Sequence, residues 1–147
     1  MANINFDFGF PQPLASASAL SAQNTAGTTL AVTVLGTAVP LANVMYINGF
    51  TDNAGLTQFV AENTGIYRVT FHASVTAALL MTCGVYRNGT AISGLQQGGL
   101  VSVSSFDGDG IINLNAGDTL SLMFYGLLGT AVLSSGTGAY MIVQQIS

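Results

Sequence analysis

A seven-residue stretch near the C-terminus, Thr119–Tyr125, constrains the fold more than any other part of the chain. Side chains alternate between the two faces of a β-strand. Every second residue of the stretch is large and apolar: Leu120, Leu122 and Phe124. Met123 and Tyr125 lie on the opposite face and also favour burial. Because a strand that is apolar on both faces must be covered on both, the sequence predicts a second cover, either another sheet or another chain.

The chain from Thr28 onward has the pattern of an all-β protein, because short apolar runs alternate with Gly, Asn and Asp. Strands are predicted near Thr29–Leu35, Val44–Phe50, Leu56–Ala61, Ile66–Val75, Met81–Arg87, Thr90–Ile92, Leu100–Phe106, Gly110–Leu114, Thr119–Tyr125, Thr130–Leu133 and Ala139–Ile146. Asn88-Gly89 is the strongest hairpin signal, since a type I′ turn needs positive φ at both central residues. Many short strands with glycine-rich turns indicate a sandwich or a barrel.

The N-terminal residues have a different character from the rest. Phe6, Phe8 and Phe10 alternate with Asn5, Asp7 and Gly9 in the sequence, which predicts a short strand with three aromatic rings on one face. Pro11-Gln12-Pro13 then interrupts regular pairing. We therefore divide the chain into a connector peptide (1–13), an Ala/Ser-rich flexible tether (14–27) and an all-β domain (28–147). Part of Ala15–Ala22 could form a helix instead.

Charged residues make up only 5% of the chain, and Arg68 and Arg87 are the only cations apart from His72. Nucleic-acid binding is excluded by this composition, because it requires many Lys and Arg side chains. A surface so poor in charge fits a protein that is partly buried in an assembly. No apolar run reaches the roughly 20 residues that a membrane span needs, and no signal peptide is recognised.

Candidate chemical groups are few. Cys83 lies among apolar neighbours and is predicted to be a buried thiol. His72 lacks the spacing to partners that catalysis requires, so no enzymatic activity is expected. Asp107-Gly108-Asp109-Gly110 resembles a fragment of a calcium loop, but a turn between two strands explains it better. We expect no metal and no cofactor.

Six segments together resemble a known family: Gly65–Phe71, Thr76–Leu80, Arg87–Thr90, Leu114–Leu120, Leu122–Gly129 and Gly138–Val143. They are similar to the TNF-like jelly roll, and most similar to the C-terminal domain of BclA-type collagen-like glycoproteins of bacterial spore surfaces. The resemblance covers about residues 25–147. It implies a ten-stranded jelly roll that forms homotrimers around a threefold axis, with Met123 and Tyr125 contacting neighbouring subunits. The collagen-like stalk and the Pro-rich leader of such glycoproteins are not found in this sequence.

The resemblance and the aromatic N-terminus lead to a functional hypothesis. The connector residues Phe6, Asp7, Phe8, Gly9, Phe10 and Pro11 would dock on the next trimer and build a spore-surface (exosporium) fibre or appendage outside the cell. An extended tail of 27 residues reaches about 90 Å, enough to clear its own head. Docking of the peptide on its own head is the simpler alternative. A trimeric adhesion head anchored to a basal spore-surface protein is the second functional class, and a virion fibre tip is the third.

Overall fold

The computed structural model describes residues 17–99, 101–126 and 128–147. All the regular elements in these ranges are β-strands, and no helix there is long and apolar enough to cross a membrane. The strands are β1 (Ala19–Asn24), β2 (Thr29–Val32), β3 (Thr37–Ala38), β4 (Asn43–Asn48), β5 (Phe50–Asp52), β6 (Phe59–Ala61), β7 (Gly65–Leu79), β8 (Met81–Arg87), β9 (Thr90–Gly98), β10 (Val103–Leu114), β11 (Thr119–Gly126), β12 (Gly129–Val132) and β13 (Ala139–Gln145).

Two antiparallel sheets face each other. The first has five strands in the order β10-β7-β13-β1-β4, and the second has the order β5-β6-β11-β8-β9, with β3 also pairing with β11. β2 and β12 form a separate two-stranded ribbon. Because consecutive strands often belong to different sheets, the chain crosses repeatedly between the layers, as it does in a jelly roll.

The core between the sheets confirms one half of the prediction for β11. Leu120, Leu122 and Phe124 are each 0% exposed. The Phe124 ring lies 6.2 Å from that of Phe106, which β10 contributes. Complete burial of such a side chain contributes roughly 1.5–3 kcal/mol, so this face of β11 is a main support of the fold.

The Asn88-Gly89 hairpin is confirmed. Both residues have positive φ, 53° and 79°, as a type I′ turn requires, and the turn joins β8 to β9 with Arg87 opposite Thr90. Strand β8 has the predicted bounds, whereas β9 continues beyond Ile92 to Gly98.

The tether predicted for residues 14–27 is wrong for Ala19–Asn24, and so is a helix over Ala19–Ala22. This segment is β1, which lies inside the five-stranded sheet between β13 and β4. Its residues alternate between half-buried and buried, with Leu20, Ala22 and Asn24 inside. Small side chains made the segment look flexible, but pairing on both sides outweighs their weak strand preference.

The turn predicted at Asp107–Gly110 is also wrong, because β10 is continuous through it. Gly108 faces the core, where the Phe71 ring occupies the place that a Cβ atom would need. Asp107 and Asp109 point the other way, to the surface of the sheet. The glycine is therefore needed for close packing against an aromatic ring and not for a turn.

Candidate functional site: the assembly surfaces

The five-stranded sheet has an outer face, turned away from the core, that the register defines. One row across it consists of Tyr46, Ser21, Ile142, Thr70 and Asp109. A second row consists of Gln23, Tyr140, His72 and Asp107, and a third consists of Ala19, Gln144, Arg68 and Ile111. Several large apolar side chains on this sheet are exposed: Met45, Tyr46, Ile47, Ile66 and Ile111. The outer face thus combines apolar area with ordered polar groups.

One ion pair and one histidine–carboxylate contact order the polar part of the outer face. The Arg68 guanidinium donates to both carboxylate oxygens of Asp109, at 3.0 and 2.7 Å, and the Thr70 hydroxyl donates to the same carboxylate at 2.9 Å. These hydrogen bonds, Arg68 first, lower the pKa of Asp109 to about 2. His72 Nδ1 lies 2.6 Å from Asp107 Oδ1, and its ring stacks on Tyr140 at 5.4 Å. These contacts hold both carboxylates at defined positions on the outer face.

The second face of β11 is covered in part by the same chain. Met123 lies against Gly36 of the segment between β2 and β3. The Tyr125 hydroxyl donates to Gln96 Oε1 at 3.2 Å, and its ring meets Tyr86 edge-on at 5.7 Å. Both residues remain half-buried. Their role in contacts between subunits stays a prediction, and only part of each side chain is available for it.

The chain enters the sandwich at one end, which we call the entry end. Ser18 is 1% exposed. Its backbone N–H donates to Gln145 Oε1 at 3.0 Å, and its carbonyl accepts the Gln145 N–H at 2.9 Å. Asn63 Nδ2 donates to the Ser18 hydroxyl at 2.9 Å, and Asn48 Nδ2 donates to the Ala17 carbonyl at 3.0 Å. The point where the N-terminal segment leaves the fold is therefore firmly held.

The opposite end of the sandwich, the apolar end, has a different surface. Its exposed large apolar residues are Val34 (68%), Leu35 (90%), Leu80 (41%), Val101 (64%) and Leu128 (84%). Two of them, Val34 and Leu80, line a groove of about 450 Å³ together with Met81, Thr82, Gly99, Tyr125 and Gly126. A second cavity of about 220 Å³ shares Leu80 and Met81 with it and adds Val32, Leu79, Leu128 and Gly129. We call the two together the apolar groove.

The connector residues Phe6, Asp7, Phe8, Gly9, Phe10 and Pro11 lie outside the described residues. The apolar groove was not predicted from the sequence. Its signal was the apolar pairs Val34-Leu35 and Leu79-Leu80, which run past the ends of their strands into the connections. Such pairs look like the ends of core strands, and only the positions of the connections in space show that they are exposed together.

The predicted chemistry of the remaining candidates is limited. Cys83 is buried, and the loss of solvent raises the pKa of its thiol well above the usual value, so the thiolate nucleophile is disfavoured. Among the residues that the structure describes, no group of three or more His, Cys, Asp and Glu side chains is placed to hold a metal ion.

Comparison with known protein families shows the family to which this chain belongs. The family model described as "BclA C-terminal domain" matches residues 20–147, which include all of β1 except Ala19 and every later strand. This chain belongs to the BclA C-terminal domain family. The match begins inside the segment first assigned to a tether, in agreement with the pairing of β1 in the sheet. No curated protein matches the sequence.

Solved structures show the fold of this family member. Eiger TNF from S. frugiperda is similar at a TM-score of 0.62 and 13% identity, covering 89% of this chain and 92% of that one. Murine APRIL, at pH 5.0, has a TM-score of 0.62 and 17% identity, and the match covers 88% of this chain and 99% of that one. The globular domain of zebrafish complement 1qA protein has a TM-score of 0.59 and 14% identity, and the match covers 89% of this chain and 98% of that one. At these identities the likeness establishes the TNF-like jelly-roll fold alone.

Proposed function

We propose that the chain is the structural subunit of a fibre on the bacterial spore surface, in which homotrimers are joined head-to-tail by the N-terminal peptide. Membership of the BclA C-terminal domain family supports the location at the exosporium and the trimeric state. The role is structural, so no catalytic group, metal or cofactor is required. The peptide would dock on the next trimer, and repetition of such a contact, which does not close on itself, makes a filament.

The observation that carries the proposal is the firm attachment of the chain at Ser18. β1 shortens the free tail from the 27 residues first assigned to it to those before Ser18, whose full extension is about 55 Å. This length still takes the three phenylalanines clear of the entry end. A pull on the tail is resisted by strand β1, which pairs on both sides with other strands, so the attachment suits a load-bearing link.

The energetics also favour docking. Burial of three phenylalanine side chains offers about 5–9 kcal/mol before the cost of ordering the peptide is subtracted. A trimer presents three such peptides, and once one has docked the others bind at high effective concentration. The link between two trimers is then far more stable than a single peptide contact.

The trimer itself would use the outer face of the five-stranded sheet as its main contact. Tyr46, Ile66 and Ile111 are 56%, 38% and 64% exposed, and a trimer that covers them removes apolar area from water. Met123 and Tyr125, on the opposite sheet, have less free surface to offer. Their contact with a neighbouring subunit remains part of the proposal as a smaller contribution.

Electron microscopy of the full chain tests the fibre. We expect long thin filaments with a regular axial repeat from the unaltered protein. The combined change Phe6→Ala, Phe8→Ala and Phe10→Ala should leave isolated trimers, because it removes the apolar side chains without changing the length of the tail. A matched variant, Asn3→Ala with Asn5→Ala, should still form filaments. Filaments that persist without the three phenylalanines would exclude the connector role.

A second candidate, an adhesion head anchored to a basal spore-surface protein by the same peptide, is favoured by one observation. A cavity of about 330 Å³ lies beside β1 and is lined largely by polar or small residues: Asn24, Thr25, Ala26, Thr28, Pro40, Ala42 and Asn43. The exposed Thr25 hydroxyl and Asn43 amide could hydrogen-bond a polar ligand, whereas the Asn24 amide already bonds Thr28, Pro40 and Ala26. Isolated trimers from the unaltered protein, at all concentrations, would support this function over the fibre.

A further inference from the structure

We propose that the apolar groove is the receptor for the segment Phe6–Phe10 of a neighbouring trimer. The inference rests on the proposed function and deepens it, since it names the surface on which the connector docks. The groove has a mainly apolar lining, to which the exposed side chains of Val34, Leu80 and Leu128 contribute. A contiguous apolar patch of this kind is typical of a binding site.

The length of the tail shows that the occupant belongs to another head. The entry end lies beside Tyr67, which pairs with Gln145, and the groove lies beside Leu79 and Leu80 at the far end of β7. These points are about 40 Å apart along the strand, at ~3.3 Å per residue. Phe10 reaches no more than about 25 Å from Ala17, and Phe6 about 40 Å, when the tail is fully extended. The three rings cannot occupy the groove of their own head together.

Stacking of two trimers brings the two features together. If the entry end of one trimer faces the apolar end of the next, the exit at Ala17 opens toward the groove of the neighbour. The reach of the tail, about 25 Å for Phe10 and about 40 Å for Phe6, is then directed at the neighbour's groove and need not pass along its own head. Each trimer has three exits and three grooves, so every peptide finds one site, and the free groove at the far end of the stack repeats the contact.

The alternation of the peptide matches a groove that is open to water on one side. The alternation in sequence predicts that an extended peptide would carry its three rings on one face and Asp7 and Gly9 on the other. The apolar face can enter between Val34, Leu80 and Tyr125, which line the groove. The Asp7 carboxylate can then stay hydrated, as an unpaired charge must.

Disulfide trapping in the full chain tests the inference. Gly9→Cys keeps all three phenylalanines, and Thr82→Cys places a thiol of similar size in the lining of the groove. Under oxidation the double variant should give covalent species of two and more chains in non-reducing gels. Thr51→Cys, on exposed strand β5 of the same sheet, is the matched control and should give at least 10-fold less cross-linked product with Gly9→Cys. The single Gly9→Cys variant shows whether buried Cys83 takes part.

The outcomes separate the groove from the fibre. Ladders from the groove pair, with filaments in the microscope, support the inference. Filaments without ladders from the groove pair overturn the inference and leave the fibre standing. Absence of filaments and ladders from every variant overturns both.

A second measurement avoids engineered thiols. Leu128→Asp puts a charge into the apolar groove and should reduce filament length at least 10-fold. Val101→Asp puts the same charge at the apolar end on an exposed residue outside the groove lining, and should change filament length less than 2-fold. Equal loss in the two variants would show that general apolarity, and not the groove, joins the trimers.

Discussion

The two ends of this sandwich differ in the contacts that dominate them, although Ile66 and Ile146 leave some apolar surface at the entry end as well. At the entry end, Asn48, Asn63 and Gln145 direct side-chain amides onto the backbone and hydroxyl of Ala17 and Ser18. At the apolar end, Leu35 and Leu128 are 90% and 84% exposed. One end uses hydrogen bonds to hold its own chain, whereas the other leaves apolar surface that the described residues do not cover. An asymmetric head of this kind is suited to polymerise in one direction.

The contacts described at the two ends involve uncharged side chains. The formal net charge of the whole chain is −4, with 5% charged residues, and the Arg68–Asp109 pair lies on the outer face of the five-stranded sheet. Association through apolar burial and amide hydrogen bonds depends weakly on salt, because screening acts on charges. A surface fibre made in this way would keep its contacts over a wide range of ionic strength.

Deforming the apolar end should have the largest effect on stability. Gly98 has a φ of +107°, and a Cβ atom there would meet the Met81 carbonyl and approach Phe106 Cε2 to 3.0 Å. We expect Gly98→Ala to lower the free energy of unfolding by about 3 kcal/mol or more. Urea denaturation of both proteins at the same concentration measures this difference in the free energy of unfolding.

Gly94→Ala is the control for that change. Gly94 lies on the same strand at a φ of +91°, with no atom within 4 Å of an added Cβ, so it loses only about 1–2 kcal/mol for the left-handed backbone. Equal losses for the two variants would show that the Met81 backbone yields easily and that the apolar end is not rigid.

Loosening the entry end should have an intermediate effect. Gln145→Ala removes the acceptor for the Ser18 N–H, which leaves a buried donor unpaired at a cost of about 1–3 kcal/mol. Hydrogen exchange at the Ser18 amide should accelerate correspondingly. Gln144→Ala changes the exposed neighbouring glutamine and should leave that amide protected. Unchanged exchange in Gln145→Ala would mean that the pairing of β1 holds the entry end without the side-chain clamp.

The smallest effect on stability is expected from loss of the Arg68–Asp109 ion pair on the outer face. The carboxylate of Asp109 is favoured in the folded state, because Arg68 and Thr70 lower its pKa to about 2. Its contribution is therefore complete above the unfolded pKa of about 3.9 and is lost as the pH falls through about 2.

We expect Asp109→Asn to lower Tm slightly at pH 7 and by less at pH 2, where part of the folded population still carries the carboxylate. Both partners are about half exposed, so solvent screening keeps the difference small, and 1 M salt should reduce it further. Thermal melts of both proteins at the two pH values measure it. A difference that grows toward acid would contradict the assignment of the ion pair.

Structural features that depend on local sequence patterns were predicted correctly, whereas features that depend on contacts between distant residues were not. The alternation in Leu120, Leu122 and Phe124 predicted the core face of β11, and Asn88-Gly89 predicted the hairpin, because each signal lies within a few residues. The signal for β1 was too weak to recognise, since its neighbours β13 and β4 come from distant parts of the chain. Gly108 was misassigned to a turn because the Phe71 ring that requires it is also remote in sequence.

The sequence by itself determined the all-β class, the apolar faces of the strands, the low charge and the aromatic N-terminus, because these depend on side-chain type and on a period of two. Only the tertiary structure decided which end the tail leaves and which end stays apolar. Those ends are assembled from connections such as Val34–Gly36, Leu80 and Leu128, far apart along the chain. Their meeting depends on the order of strands in the sheets, which no local pattern encodes.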